Sequence, residues 1–257
     1  MSQVDTSMSI NSRAFNYGDG FFETIKILNS KPFNFVSHLH RINRALTILN
    51  LQDCTSSFFK EKVDHLIKKN NIVNGIVKIH ISRSGTGKYL PDSDNLDIFM
   101  CVSNSIPYQK NVPISACFYN DDFKTLGALS NIKSLNALVS ILASMYASKN
   151  NYDNGILLNS NGHIIEASNA NIYMVKDKIV YTPPLADGCV DGTMRRWLLE
   201  ELDVIEESIT KDRILNSDEV FISNASNGFI TVLNIEQTFF SSSKTAEEIQ
   251  QRLVSLS

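Results

Sequence analysis

The chain has 257 residues, 43% of them hydrophobic and 20% charged, with a formal net charge of −3. That length suits one large domain or two modest ones and can bury a substantial core without disulfide staples. The near-neutral balance, with no Lys/Arg-rich run, leaves no electrostatic basis for binding nucleic acid or an anionic membrane.

In chain order, the opening "MSQVDTSMSINSRAF" has neither a basic n-region nor an apolar h-region, so no signal peptide is expected. "FFETIKIL" mixes β-branched and aromatic residues and predicts a strand from Phe21 to Leu28. "NFVSHLHRINRALTILNL" carries Val36, Leu39, Ile42, Leu46 and Leu49 at helical spacing, and "SFFKEKVDHLIKKNNI" predicts a second amphipathic helix. "GIVKIHISRSG" (Gly75 to Gly85) and "LDIFMCVS" (Leu96 to Ser103) read as strands around the loop "RSGTGKYLPDSDN". "NSIPYQKNVP", with two prolines among polar residues, is the candidate linker; the expected domains are 1–105 and 114–257, joined by 106–113.

After the linker come a strand "ISACFY", a loop ending near Lys133, and a helix from about Leu135 to Lys149. The short strands "GILLNS", "HIIEAS", "NIYMV" and "KIVYTP", separated by tight turns, predict a meander of hairpins. "GCVDGTMRRWLLEEL" reads as a glycine loop opening into a helix, "DEVFISNASNGFITVLNI" as strand, loop, strand, and "KTAEEIQQRLVSL" as a final helix. No apolar run approaches the ~18 residues that span a bilayer. Cys54, Cys101, Cys117 and Cys189 are far apart and form no CxxC pair, so neither a zinc site nor a redox motif is expected. The expectation is a cytoplasmic, reduced, soluble protein.

Two motifs fail on inspection. "SRSGTGKY" has Ser82 where a phosphate-binding loop needs its first glycine, and Tyr89 where it needs Ser or Thr. His38 and His40 of "HLHR" diverge on a helix at i and i+2 and lack a third ligand, so no metal is expected. Three other features carry chemistry together. Gly188 and Gly192 precede a helix start, whose free N–H groups and positive end suit phosphate or carboxylate. Glu166 stands in an otherwise uncharged strand region. Lys133 lies in a run without other charge, and a desolvated lysine has a lowered pKa and attacks carbonyls to form a Schiff base. Lysine, anion site and carboxylate are the parts that pyridoxal 5′-phosphate requires.

In their order, "YGDGFFETIKI", "HLHRI", "ISR", "NIKSLN", "GHIIEASNANIY", "YTPPLADGCVDGTMRR" and "EVFISNASNGFITV" resemble the fold-type IV pyridoxal-phosphate enzymes, the class IV aminotransferase family. The resemblance covers most of the chain. It implies an α/β (α+β) two-domain fold, D-amino acid aminotransferase-like, with a smaller N-terminal domain, a larger C-terminal domain, the cofactor between them, and a homodimer. It implies that Lys133 carries the Schiff base and shuttles protons, that Glu166 pairs with the pyridinium nitrogen, and that Arg41 binds the phosphate. Thr193 and Met194 would add backbone N–H groups, Ser226 would approach from the other side, and Asn171 would support the site.

Within the family, Thr24 and Lys26 stand where branched-chain enzymes read the glycine and arginine of "FEGIR". "KSLNAL" has no tyrosine for the cofactor's ring oxygen, and Asn136 is the candidate contact in its place. Lys88 and Leu90 replace the arginine and histidine of the D-amino acid aminotransferase loop. Arg83, Lys88 and Tyr89 are candidates for a substrate carboxylate. The length, "KSLN", "DGTMRR" and "SNASNG" are most similar to 4-amino-4-deoxychorismate lyases, with a branched-chain type aminotransferase as the alternative. Either acts on a small-molecule amine.

Overall fold

The stretch expected as a strand from Phe21 is β1 (Gly20–Leu28) in a computed structural model, which describes residues 9–256. Residues 1–8, on which the absence of a signal peptide rests, and Ser257 lie outside the described residues. A short helix not expected from sequence, α1 (Arg13–Tyr17), precedes β1. β1 turns into β2 (Lys31–Pro32) and leads to α2 (Phe35–Ile48) and α3 (Ser56–Lys69). Thr55 caps α3, its hydroxyl accepting the Phe58 N–H. The hairpin β3 (Gly75–Arg83) and β4 (Leu96–Asn104) completes an antiparallel sheet of order β2-β1-β3-β4. Alternation puts Phe21, Ile25, Val77, Ile79 and Ile81 under α2 and α3, where they meet Ile42, Leu46, Phe59 and Val63. One acid, Glu23, shares that inward face.

Residues 105–113 run to a second sheet. Its strands are β5 (Ile114–Phe118), β6 (Asn154–Leu158), β7 (Ile164–Ala167), β8 (Asn171–Lys176), β9 (Ile179–Thr182), β10 (Val204–Glu206), β11 (Glu219–Asn224), β12 (Gly228–Ile235) and β13 (Thr238–Phe239). Its helices are α4 (Leu138–Lys149), α5 (Thr193–Glu201), α6 (Lys211–Leu215) and α7 (Lys244–Ser255). The order is β10-β9-β8-β11-β12-β5-β6-β7, with β13 beside β12. Strands β7 and β8 sit far apart in that order yet follow each other in sequence, and a bridge between Ala167 and Ala170 joins them. The sheet therefore curls around a core of Ile156, Ile164, Ile172, Val220, Ile222 and Val232. α5 and α7 cover its outer face through Trp197, Leu198, Ile249 and Leu253.

The expected helices and strands appear, with α4 starting at Leu138 rather than near Leu135. β10 and α6 are too short, at three and five residues, to leave a periodic signal. The two sheets meet along the Lys133 segment. Phe22 N–H donates to the Lys133 carbonyl at 2.9 Å, and Leu135 N–H donates to the Gly20 carbonyl at 3.0 Å. No helix among the described residues is long and apolar enough to cross a membrane.

Candidate active site

Lys133 stands at this seam. A short 3₁₀ turn (Ala128–Asn131) precedes it, and backbone bonds between its segment and β1 fix its place. Its Nζ lies 4.5 Å from the centre of the Phe22 ring and makes no hydrogen bond among the described residues. Burial and the Arg41 charge, with Lys124 adding to them, lower the amine to about 8 against the opposing pull of Glu23 and Glu166. An amine held this way is a nucleophile near neutral pH.

Arg41 projects from α2 across the seam. Its Nε and Nη2 donate to the two Glu23 oxygens at 2.6 and 2.7 Å, and its Nη1 donates to the Asp191 carbonyl at 3.1 Å. His38 Nδ1 lies 2.6 Å from Glu23 Oε2. All three side chains are buried. Burial raises the Glu23 carboxyl, but the charges and hydrogen bonds of Arg41 and His38 outweigh it and hold it at about 2. Burial holds the His38 imidazole below its ordinary value, against the pull of the Glu23 carboxylate. Neither His38 nor Glu23 was expected here. The signal for Glu23 was present: a lone carboxylate on the inward face of an apolar strand requires a partner.

The glycine loop closes the far side. Gly188 has φ +96, a conformation L side chains rarely adopt. Gly192 is required by proximity: a Cβ there would lie 1.9 Å from Asn171 Oδ1. Asn171 is in turn held by Ser223, its Nδ2 donating to the Ser223 carbonyl at 2.9 Å and Oγ at 3.0 Å. Thr193 and Met194 open α5, so their N–H groups have no carbonyl one turn back to bond. The loop is tied to the lysine segment by Asn131, whose Nδ2 donates to the carbonyls of Leu185 and Cys189 at 2.8 and 2.7 Å. Ser226 faces the same space, its hydroxyl without a hydrogen bond among the described residues and its carbonyl accepting from Lys26 Nζ at 3.2 Å.

Glu166 on β7 accepts the Val190 N–H through Oε2 at 2.9 Å and the Lys124 ammonium through Oε1 at 2.5 Å. These groups surround a cavity of about 880 Å³, lined among others by Phe22, Thr24, Arg41, Lys124, Lys133, Asn136, Glu166, Asn171, Thr193, Met194 and Ser226. Residues 20–235 match the family described as amino-transferase class IV.

The chain belongs to the class IV aminotransferase family. It is similar to the D-alanine aminotransferase of Staphylococcus epidermidis, 29% identical over 92% of this chain and 86% of the relative. It is also similar to the aminodeoxychorismate lyase of Bacillus subtilis, 27% identical over 94% and 86%. The branched-chain amino acid aminotransferase of Escherichia coli shares the fold, with a TM-score of 0.86 at 23% identity, covering 98% of this chain and 89% of that one. This chain is thus a class IV enzyme, and its cofactor is pyridoxal 5′-phosphate.

The residues present fit that cofactor. An unpaired, desolvated amine suits the aldehyde, and N–H groups at the α5 start beside an arginine suit the phosphate. Gly192 packs directly against the Asn171 amide, which leaves no room for a Cβ and holds Asn171 beside the start of α5. Lys133, Arg41, Glu166, Asn171, Thr193, Met194, Ser226 and Asn136 all line the one cavity. Asn136 uses its Nδ2 to donate to the Gly18 carbonyl at 3.1 Å, which ties the α1 turn to the lysine segment.

The structure does not bring Arg83, Lys88 and Tyr89 into this cavity. Arg83 is buried beneath the loop, donating to Asp19 Oδ2 at 3.0 Å and to the carbonyls of Leu49 and Asn50 at 2.5 and 3.1 Å. Its guanidinium anchors backbone rather than facing a ligand. Lys88 offers its carbonyl to Arg13, and Tyr89 is 92% exposed. Lys124 was not anticipated: it lies in the loop between "ISACFY" and Lys133, and its partner Glu166 is 42 residues away in the chain.

Proposed function

We propose that this enzyme is a 4-amino-4-deoxychorismate lyase, which releases pyruvate and leaves 4-aminobenzoate for folate synthesis. The observation that carries this reading is the cavity's lining, whose cations among the described residues are Arg41, Lys124 and Lys133. None of these is an arginine–histidine pair on a loop, which weighs against a D-amino acid aminotransferase. The similarity to the B. subtilis lyase supports the same reading.

Bound pyridoxal phosphate supplies an aldehyde for the substrate amine and an electron-accepting ring. Arg41, the Thr193 and Met194 N–H groups and the Ser226 hydroxyl would hold its phosphate. Glu166 would hold the ring nitrogen protonated, and Asn171 would support that wall. Lys133 Nζ, once free, would take the proton from the amine-bearing carbon; its lowered affinity for protons suits a base near neutral pH.

A second reading is an aminotransferase of branched-chain type. Leu129, Val139, Ile141 and Met145 give the cavity an apolar side that fits aliphatic side chains. Lys133 would then return its proton to the cofactor rather than support loss of pyruvate. The two readings separate by assay. With 4-amino-4-deoxychorismate and no 2-oxo acid, a lyase produces pyruvate and keeps its visible band. Bleaching of that band by amino acids, with no pyruvate from 4-amino-4-deoxychorismate, establishes the aminotransferase instead.

We read the chain as two domains, 1–105 and 114–257, joined by 106–113, in a cytoplasmic homodimer. Leu138, Ile141, Leu142 and Met145 leave α4 with an exposed apolar face, which supports a second copy there. Sedimentation equilibrium of the full chain tests this, and a monomer at micromolar concentration overturns it.

A further inference from the structure

Lys124 lines the cavity but takes no chemical step in the function proposed above. It sits in the irregular segment between β5 and the turn at Ala128–Asn131. Its own N–H donates to the Leu158 carbonyl at 3.1 Å, so its backbone is fixed. Its side chain is 16% exposed and reaches the Glu166 carboxylate in the cavity wall. A buried ion pair of this kind is weak evidence of a stability device, because desolvation offsets most of its Coulomb gain. Its position is more telling. The cavity holds a second amine, Lys133, and the carboxylate that Lys124 takes is one that would otherwise favour the charged form of Lys133.

The charged and titratable groups facing Lys133 come from every element around it. β1 contributes Glu23, α2 contributes His38 and Arg41, β7 contributes Glu166, and the preceding segment contributes Lys124. Glu23 is already paired by Arg41 and His38. Glu166 is the remaining anion, and Lys124 pairs with it. We propose that Lys124 is a positioning residue of the site, which occupies Glu166 and so keeps that carboxylate from holding the proton on the Lys133 amine. The inference rests on Lys133 being the reactive amine. It assigns to Lys124 the control of that amine's charge in the free enzyme, before any ligand enters.

The test uses the full chain without cofactor. Trace acetylation with acetic anhydride across about pH 6–11, read on the Lys133 peptide by mass spectrometry, gives the midpoint at which this amine loses its proton. The expected midpoint is near 8 in the parent chain. Lys124→Met should raise it by roughly half a unit or more, since a cation is lost and an anion is released together. Lys124→Arg keeps the charge and should leave the midpoint in place. In a Glu166→Gln background the effect of Lys124→Met should shrink.

An unchanged or lowered midpoint in Lys124→Met overturns the proposal, as does a full shift that persists without Glu166. Melting curves of each variant identify a folding defect, and Lys124→Gln then replaces Lys124→Met. The cofactor reading is checked separately: a visible band that survives Lys133→Ala defeats that reading whatever the acetylation midpoints are.

Discussion

Arg41 and Glu23 meet side by side, with two parallel N–H···O bonds of 2.6 and 2.7 Å in a fully buried setting. This fork fixes the guanidinium plane, and Nη1 donates to the Asp191 carbonyl while the side chain lines the cavity. Replacing Glu23 by Gln strands a buried guanidinium, which costs about 3–5 kcal/mol. The pH dependence has a definite sign. The folded carboxyl titrates at about 2, below its ordinary 4.5, so its contribution is complete above about 4.5 and is lost as pH falls toward 2. The stability gap between the parent chain and Glu23→Gln, measured by urea unfolding, should therefore narrow across that window. A gap that stays constant with pH contradicts the pairing.

Gly192 and Asn171 are in contact too close for any side chain on the glycine. Asn171 cannot withdraw without losing both bonds to Ser223. Gly192→Ala should therefore displace the first turn of α5 and weaken pyridoxal phosphate binding by about tenfold or more, which is about 1.4 kcal/mol. The double variant Gly192→Ala with Asn171→Ala relieves the clash and should recover part of the loss. Fluorescence titration with the cofactor measures both, and no difference between single and double variants argues against this contact as the cause.

Lys133 carries a stability penalty. Its folded amine titrates at about 8, below the ordinary 10.5, so between these values the unfolded chain binds more protons. Stability from this group therefore rises with pH through that window and is lowest below it. Lys133→Met should stabilise the cofactor-free chain by about 1–2 kcal/mol at neutral pH, a few degrees in melting temperature for a chain of this size. The gain should shrink as pH climbs from about 8 to 10.5. A variant less stable than the parent at pH 7 would show that the amine is well solvated or paired.

The parts of the site that were legible in sequence are those where composition and local structure coincide. Lys133 stood alone in an uncharged run, Glu166 stood alone in a strand, and Gly192 preceded a helix start. Their neighbours were not legible, because each depends on a partner distant in the chain. Lys124 meets Glu166 across 42 residues, and its flanking Asp121 and Asp122 make it look solvated. Arg83 looked available for a ligand because it borders a polar loop. The fold instead turns it under that loop, onto carbonyls that α2 leaves at its C-terminal end. Local pattern gives the type of an element, whereas the pairing of charges follows from how the two sheets meet.

Lys26 illustrates that meeting. It stands where branched-chain enzymes of the family read an arginine, and here it is 2% exposed with no carboxylate partner among the described residues. Its Nζ donates to the Ile106 carbonyl at 2.7 Å, the Ser226 carbonyl at 3.2 Å and Ser105 Oγ at 3.4 Å, and lies 5.1 Å from the Tyr108 ring centre. One side chain of β1 thus joins the segment between the sheets to the loop that presents Ser226. Burial lowers the affinity of this amine for its proton, and the groups that accept from it are carbonyls and a hydroxyl. Lys26→Met keeps the apolar stem but removes three donations to part-buried acceptors, at about 0.5–1.5 kcal/mol each. The Ser226 loop should loosen with it, so cofactor affinity should fall together with stability. Hydrogen exchange should rise at residues 105–108 and 224–228 and not in α3. Exchange that rises evenly over the whole chain instead would mean that Lys26 stabilises the fold without holding this loop.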